Sequence, residues 1–134
     1  MKPLPHQDAL AEQRAIEALY QRGFLLHAEE RYRDAAAVFG AMMQASPTDE
    51  RSWLALGDCH EKLGQFQIAL ELYSAGSIAA DPAPRCQLSR FRTLYDMNRV
   101  SDAQHAYDRA MQLATLLEDE ALVSIIENER RIRP

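Results

Sequence analysis

Residues 53–73 read WLALGDCHEKLGQFQIALELY. Trp53, Leu56, Gly57 and His60 recur at spacings of three and four, which places them on one side of a helix. Gly64 interrupts the pattern, and Ala69, Leu70 and Tyr73 resume it, so the stretch predicts two short helices joined by a tight turn. The second helix should end before Asp81-Pro82. The same unit occurs elsewhere in the chain. Ala35, Ala69 and Ala103 are evenly spaced, and the aromatics four places later, Phe39, Tyr73 and Tyr107, keep the same interval. Gly23 and Gly57 share that interval, and a turn-like position runs through Glu30, Gly64 and Asn98. A period of this length, about 34 residues, denotes helix pairs that bury their apolar faces only by stacking on one another.

Composition agrees with an all-α chain and narrows its function. At 134 residues with 47% hydrophobic content the chain can bury one core, and an aromatic share of 7% argues against a β-sandwich. Fifteen basic against twenty acidic residues give a formal charge of −5, the wrong sign for nucleic acid. Runs without charge, such as residues 35–48, contain Gln, Ser and Pro and fall short of the roughly 20 residues that cross a bilayer, so no membrane contact is expected. The opening MKPLPHQDAL lacks an apolar signal stretch, which predicts a cytoplasmic location. Cys59 and Cys86 stand inside helical patterns and read as reduced packing thiols.

The middle unit resembles the tetratricopeptide repeat, whose pattern is W-x2-L-G-x2-Y, then A-x3-F, then P. It departs only in His60, which stands where Tyr is usual. The first unit keeps Gly23, Ala35, Phe39 and Pro47 but has Arg22 in place of Leu; the third keeps Ala103, Tyr107 and Ala110 but has Phe91 in place of Gly. The expected organisation is a tetratricopeptide-repeat superhelix. Residues 1–15 form a lead-in, residues 16–49, 50–83 and 84–117 form three helix-turn-helix repeats, and residues 118–134 form a C-terminal capping helix. In that last segment Leu117, Ala121, Leu122, Ile125, Ile126 and Ile132 make an apolar stripe. Its charges run from Glu118-Asp119-Glu120 to Arg130, Arg131 and Arg133, as the helix dipole favours.

No catalytic or cofactor motif accompanies the repeats. The four histidines, at 6, 27, 60 and 105, lack H-E-x-x-H or Cys-x2-Cys company, and phosphate-binding glycine loops and a G-x-S-x-G elbow are missing. The expectation is a non-enzymatic protein with neither metal nor cofactor. Within a tetratricopeptide stack the first helix of each pair lines the concave side through repeat positions 2, 5, 9 and 12. Here these are Glu17, Tyr20, Phe24 and His27, then Arg51, Leu54, Asp58 and Glu61, then Arg85, Leu88, Arg92 and Tyr95. Apolar side chains among charged ones suit an extended peptide held by a few anchors and polar clamps. The candidate groove is therefore Tyr20, Phe24, His27, Leu54, Asp58, Arg85, Leu88, Arg92 and Tyr95. Tetratricopeptide adaptors that bind a C-terminal carboxylate use Lys and Asn where this chain has Tyr20 and Phe24, which disfavours that ligand.

A narrower resemblance rests on RYRDAAAVF at 31–39, LALGDCHEKLGQFQIALELYSAG at 54–76, and Pro84-Arg85. Gly57-x-Cys59 before a Leu-Gly turn, and Tyr73-Ser74-x-Gly76 with Pro-Arg eight residues on, are similar to the class II chaperones of type III secretion, the LcrH/SycD group. Leu19-Tyr20 and Phe24 match that group's spacing of groove aromatics. The resemblance implies a cytoplasmic chaperone that binds a segment of hydrophobic secreted translocator proteins and keeps them soluble before export. It also implies self-association. The group carries a longer N-terminal helical segment, so a weak homodimer through the first repeat or the C-terminal helix is the expectation here. The third repeat departs from the group at residues 86–98, CQLSRFRTLYDMN. A chaperone of the needle subunit, a general tetratricopeptide scaffold and a small enzyme with a site of dispersed His and Asp are the alternatives.

Overall fold

The computed structural model describes residues 5–134, and all the secondary structure in that range is helical apart from turns. Seven helices follow one another: α1 (Pro5–Ala28), α2 (Tyr32–Ala45), α3 (Glu50–Lys62), α4 (Phe66–Ala79), α5 (Pro84–Asp96), α6 (Val100–Leu116) and α7 (Glu120–Ile132). Turns of a few residues make α1–α2, α3–α4 and α5–α6 antiparallel pairs. The architecture is that of a tetratricopeptide-repeat stack closed by a seventh helix.

The period of the sequence reappears as repeated packing. Ala35, Ala69 and Ala103 are 0%, 0% and 1% exposed, because they stand where the two helices of a pair touch. A Cβ on Gly23 would collide with the ring of Phe39, and one on Gly57 with the ring of Tyr73. Glycine at that place lets the aromatic lie flat on the first helix. In the third pair Phe91 takes the glycine's place and is itself buried, so Tyr107 cannot seat as deeply. The rings meet edge-on at 5.3 Å, and Arg130 from α7 stacks 4.6 Å above Tyr107. The degenerate third repeat thus holds its cavity closed with a different set of side chains.

The turns within the pairs are repeats of one another as well. Glu30, Gly64 and Asn98 have φ of 62°, 76° and 62°, the left-handed conformation that ends a helix. The next residue donates back to the helix each time: Arg31 to Leu26, Gln65 to His60 and Arg99 to Leu94, at 2.9, 2.8 and 2.8 Å. Glycine suits this φ, asparagine tolerates it, and glutamate is strained there. Glu30→Gly is accordingly expected to stabilise the fold by about 0.5–1 kcal/mol, read as a rise of a few degrees in the thermal midpoint. A lowered midpoint would show that Glu30 is not strained.

Two expectations are corrected. The lead-in does not extend to residue 15, since α1 begins at Pro5 and residues 5–15 are its first turns. The part of that expectation concerning residues 1–4 lies outside the described residues. The reason is local: Pro5 opens the helix with a φ already helical, Asp8 lies in the first turn, and Ala, Leu, Glu, Gln and Arg follow without a breaker. The apolar stripe of the last segment is also divided. Only Leu122 and Ile126 pack inward, at 2% and 0% exposure, whereas Leu117, Ala121, Ile125 and Ile132 face solvent.

Candidate peptide-binding face

α1, α3, α5 and α7 stand side by side, and polar contacts between them follow the repeat register. At repeat position 2, Arg51 donates to Glu17 at 2.7 Å and Arg85 approaches Asp119 at 3.7 Å, each pair being one repeat length apart in sequence. Further along, His27 Nε2 and Asp58 Oδ2 are 2.6 Å apart, and the Thr93 hydroxyl donates to Glu61 at 2.7 Å. Arg92 then donates to Glu129 at 2.5 Å, while Arg133 bridges Glu129 at 2.8 Å and Asp96 at 3.0 Å. The inner face is therefore ribbed by interhelical ion pairs and hydrogen bonds.

The candidate residues fall into two groups between these ribs. Phe24 is 58% exposed, and Tyr20 and Leu54 are half-buried, so α1 and α3 offer three apolar contacts on one face. Tyr20 is fixed from both sides, by Phe39 at 6.2 Å and by the Arg51 guanidinium 4.7 Å above its ring. His27 and Asp58 are brought together as a polar edge to this strip. On α5 the outcome differs. Leu88 is 3% exposed and belongs to the core cluster that Leu122 and Ile126 of α7 complete, so it is not a groove anchor. Tyr95 leans on the same cluster with its ring 6.1 Å from Phe91, and Arg92 is engaged by Glu129. Arg85 stays exposed. Sequence reasoning missed Glu129, Arg133 and Asp96 as contributors to this face. Carrying the register one repeat further onto α7 would have found Asp119, which stands one repeat length after Arg85.

Electrostatics join α1 to α3. The Arg51 guanidinium holds the carboxyls of both Glu17 and Asp49 below their ordinary values, and it is itself held protonated chiefly by Asp49. Asp49 also caps α3 by accepting from the Arg51 backbone N–H. A carboxyl whose value is lowered by folding contributes stability that is complete at neutral pH and is lost as pH falls through the folded value. Arg51→Gln should therefore melt below the wild type at pH 7, and the gap should narrow as acid protonates the two carboxyls. A gap that stays constant as the pH falls would mean that it does not arise from the ionised carboxylates of Glu17 and Asp49.

The thiols have no chemical role on this face. Burial pushes Cys59 up to about 11 and Cys86 to about 12, so both stay protonated and unreactive. A polar depression lined by Leu70, Ser74, Arg90 and Leu94 lies between α4, α5 and α6, apart from the strip on α1 and α3. Among the described residues no group of three or more potential metal ligands occurs, and no helix is long and apolar enough to cross a membrane.

Residues 26–91 match the family model of the tetratricopeptide repeat. SycD, the type III secretion translocator chaperone of Yersinia enterocolitica, superposes with a TM-score of 0.78 at 25% identity, covering 87% of this chain and 88% of that one. PcrH of Pseudomonas aeruginosa, solved with the chaperone-binding region of PopD, superposes with a TM-score of 0.74 at 26% identity over 87% of this chain and 89% of that one. Low calcium response locus protein H of Yersinia pestis is 30% identical over 98 residues, 73% of this chain. The chain is thus similar, over most of its length, to the LcrH/SycD group of tetratricopeptide-repeat proteins. It spans 58% of the length of the curated relatives it matches. In this chain the strip on α1 and α3 keeps apolar side chains accessible, while α7 packs against the α5 end.

Proposed function

We propose that this chain is a type III secretion chaperone, acting in the bacterial cytoplasm, that holds an extended segment of a hydrophobic translocator on its inner face. The observation that carries the reading is the free apolar strip of Tyr20, Phe24 and Leu54, bordered by His27, Asp58 and Arg51, in a chain similar to PcrH, which has been solved with the chaperone-binding region of PopD. Apolar side chains entering that strip lose water contact, and the polar ribs offer partners for the backbone of an extended segment. Holding the segment lowers the free concentration of a protein that would otherwise aggregate or insert into a membrane too early, by mass action and without an energy source. The role is one of binding. It requires neither catalysis nor a cofactor, and the neutral, buried thiols of Cys59 and Cys86 are in keeping with that.

The test is co-expression with candidate membrane-inserting secreted proteins of the same bacterium. The expected result is a soluble complex that co-purifies, while the translocator expressed alone is insoluble. If the translocators stay insoluble and none co-purifies with the folded chain, the reading is wrong.

A further inference from the structure

The third repeat departs from the second at two packing positions. Trp53 and Leu56 are 9% and 7% exposed, and one repeat length after them stand Gln87 and Arg90. Gln87 is as deeply buried as Trp53, and its Oε1 accepts from Arg90 Nη1 at 2.8 Å. Arg90 Nε donates to the Ser74 hydroxyl at 3.1 Å. Both acceptors are neutral. A half-buried guanidinium therefore occupies an apolar place in the repeat with no carboxylate partner among the described residues. Withdrawing a charge from water in this way costs stability until an opposite charge completes the site.

Arg90 lines the depression between α4, α5 and α6, which encloses about 380 Å³. That is the lower end of the range for small-molecule sites, roughly 300–1,000 Å³. Leu70 and Leu94 supply apolar floor, and exposed His105 stands on the α6 side. Arg99 and Asp102 also line it, but they pair with each other at 2.9 Å. Glu71 on the α4 wall is exposed and has no cationic partner among the described residues; its carboxylate accepts only from the Gln67 amide, at 3.5 Å. One positive and one negative group, too far apart to pair with each other, are thus open to the same cavity. We propose that the depression binds a small zwitterion of the amino-acid class, with its carboxylate on Arg90 and Ser74, its ammonium on Glu71 and its side chain over Leu70 and Leu94. A simple anion meets the repulsion of Glu71, and a simple amine meets that of Arg90, so the two charges select a ligand that carries both. The site lies apart from the strip on α1 and α3, so its occupancy is independent of translocator binding.

Amide NMR titration of the whole chain with leucine, isocaproate, which lacks the amino group, and isoamylamine, which lacks the carboxylate, tests this. Leucine should shift signals around Ser74 and Arg90, with a dissociation constant on the order of 1 mM. Isocaproate should bind about fivefold more weakly, and isoamylamine should cause no shift there. Arg90→Leu restores the residue type of the second repeat, so it should keep or raise the thermal midpoint while weakening leucine binding at least about tenfold. Glu71→Gln, at an exposed position, should leave the melt unchanged and bring leucine and isocaproate to equal affinity. The proposal is overturned by a wild type in which leucine shifts nothing near Arg90 or binds no better than isocaproate. Leucine binding that survives in folded Arg90→Leu, or a preference for leucine that survives in Glu71→Gln, overturns it as well.

Discussion

Ala69→Glu is expected to abolish the folded array or to lower its thermal midpoint by at least about 10 °C. Ala69 has no exposed surface, and it sits where α3 and α4 approach each other in the middle pair. A carboxylate there has neither water nor a partner, a situation that costs on the order of 3–5 kcal/mol, against a total stability of about 5–15 kcal/mol for an ordinary domain. The middle pair has neighbours on both sides, so its loss removes packing from α2 and α5 as well. The same substitution at exposed Ala37 on α2 should shift stability by no more than about 0.5 kcal/mol. Circular dichroism melts of the two variants make the comparison, and equal midpoints would contradict this packing.

The second large effect is on binding. Phe24→Ala combined with Leu54→Ala should weaken capture of the translocator segment at least tenfold, a change that needs only about 1.4 kcal/mol, whereas truncating a single buried anchor commonly costs about 1 kcal/mol or more, so about 2 kcal/mol for two. This pair is preferable to one that includes Tyr20, whose ring also packs on Phe39 and under Arg51, so that Tyr20→Ala would lower stability together with binding. Titration calorimetry with the segment, alongside a thermal melt, separates the two effects. An unchanged affinity in a folded double variant would place the segment elsewhere.

The fold was legible because the long, constant interval from Ala35 to Ala69 to Ala103 leaves few architectures open, and because the marker residues of the repeat act through simple sterics. Small Ala69 permits close approach, Gly57 makes room for Tyr73, and Gly64 supplies a left-handed turn. The site was legible only in part. Position rules place Tyr20, Phe24 and Leu54 on the inner face, where the structure has them accessible or half-buried. The same rule fails for Leu88, because it assumes an uncovered neighbour, and α7 packs beside α5 and draws Leu88 into the core. Arg92 fails as a free clamp for the same reason, since its partner Glu129 lies 37 residues away on a helix outside the three recognised repeats. The start of α1 was missed because the repeat register opens only at residue 16, whereas Pro5 is the first residue of the helix.

Site-specific photo-crosslinking puts the central claim, that the inner face of α1 and α3 holds the translocator, to its most direct test. A benzoylphenylalanine replacing exposed Phe24 should crosslink to the co-expressed translocator. The same probe replacing Ile78, which is 80% exposed on α4, should not. Crosslinking from position 78 with none from position 24, in complexes of equal yield, would contradict the account.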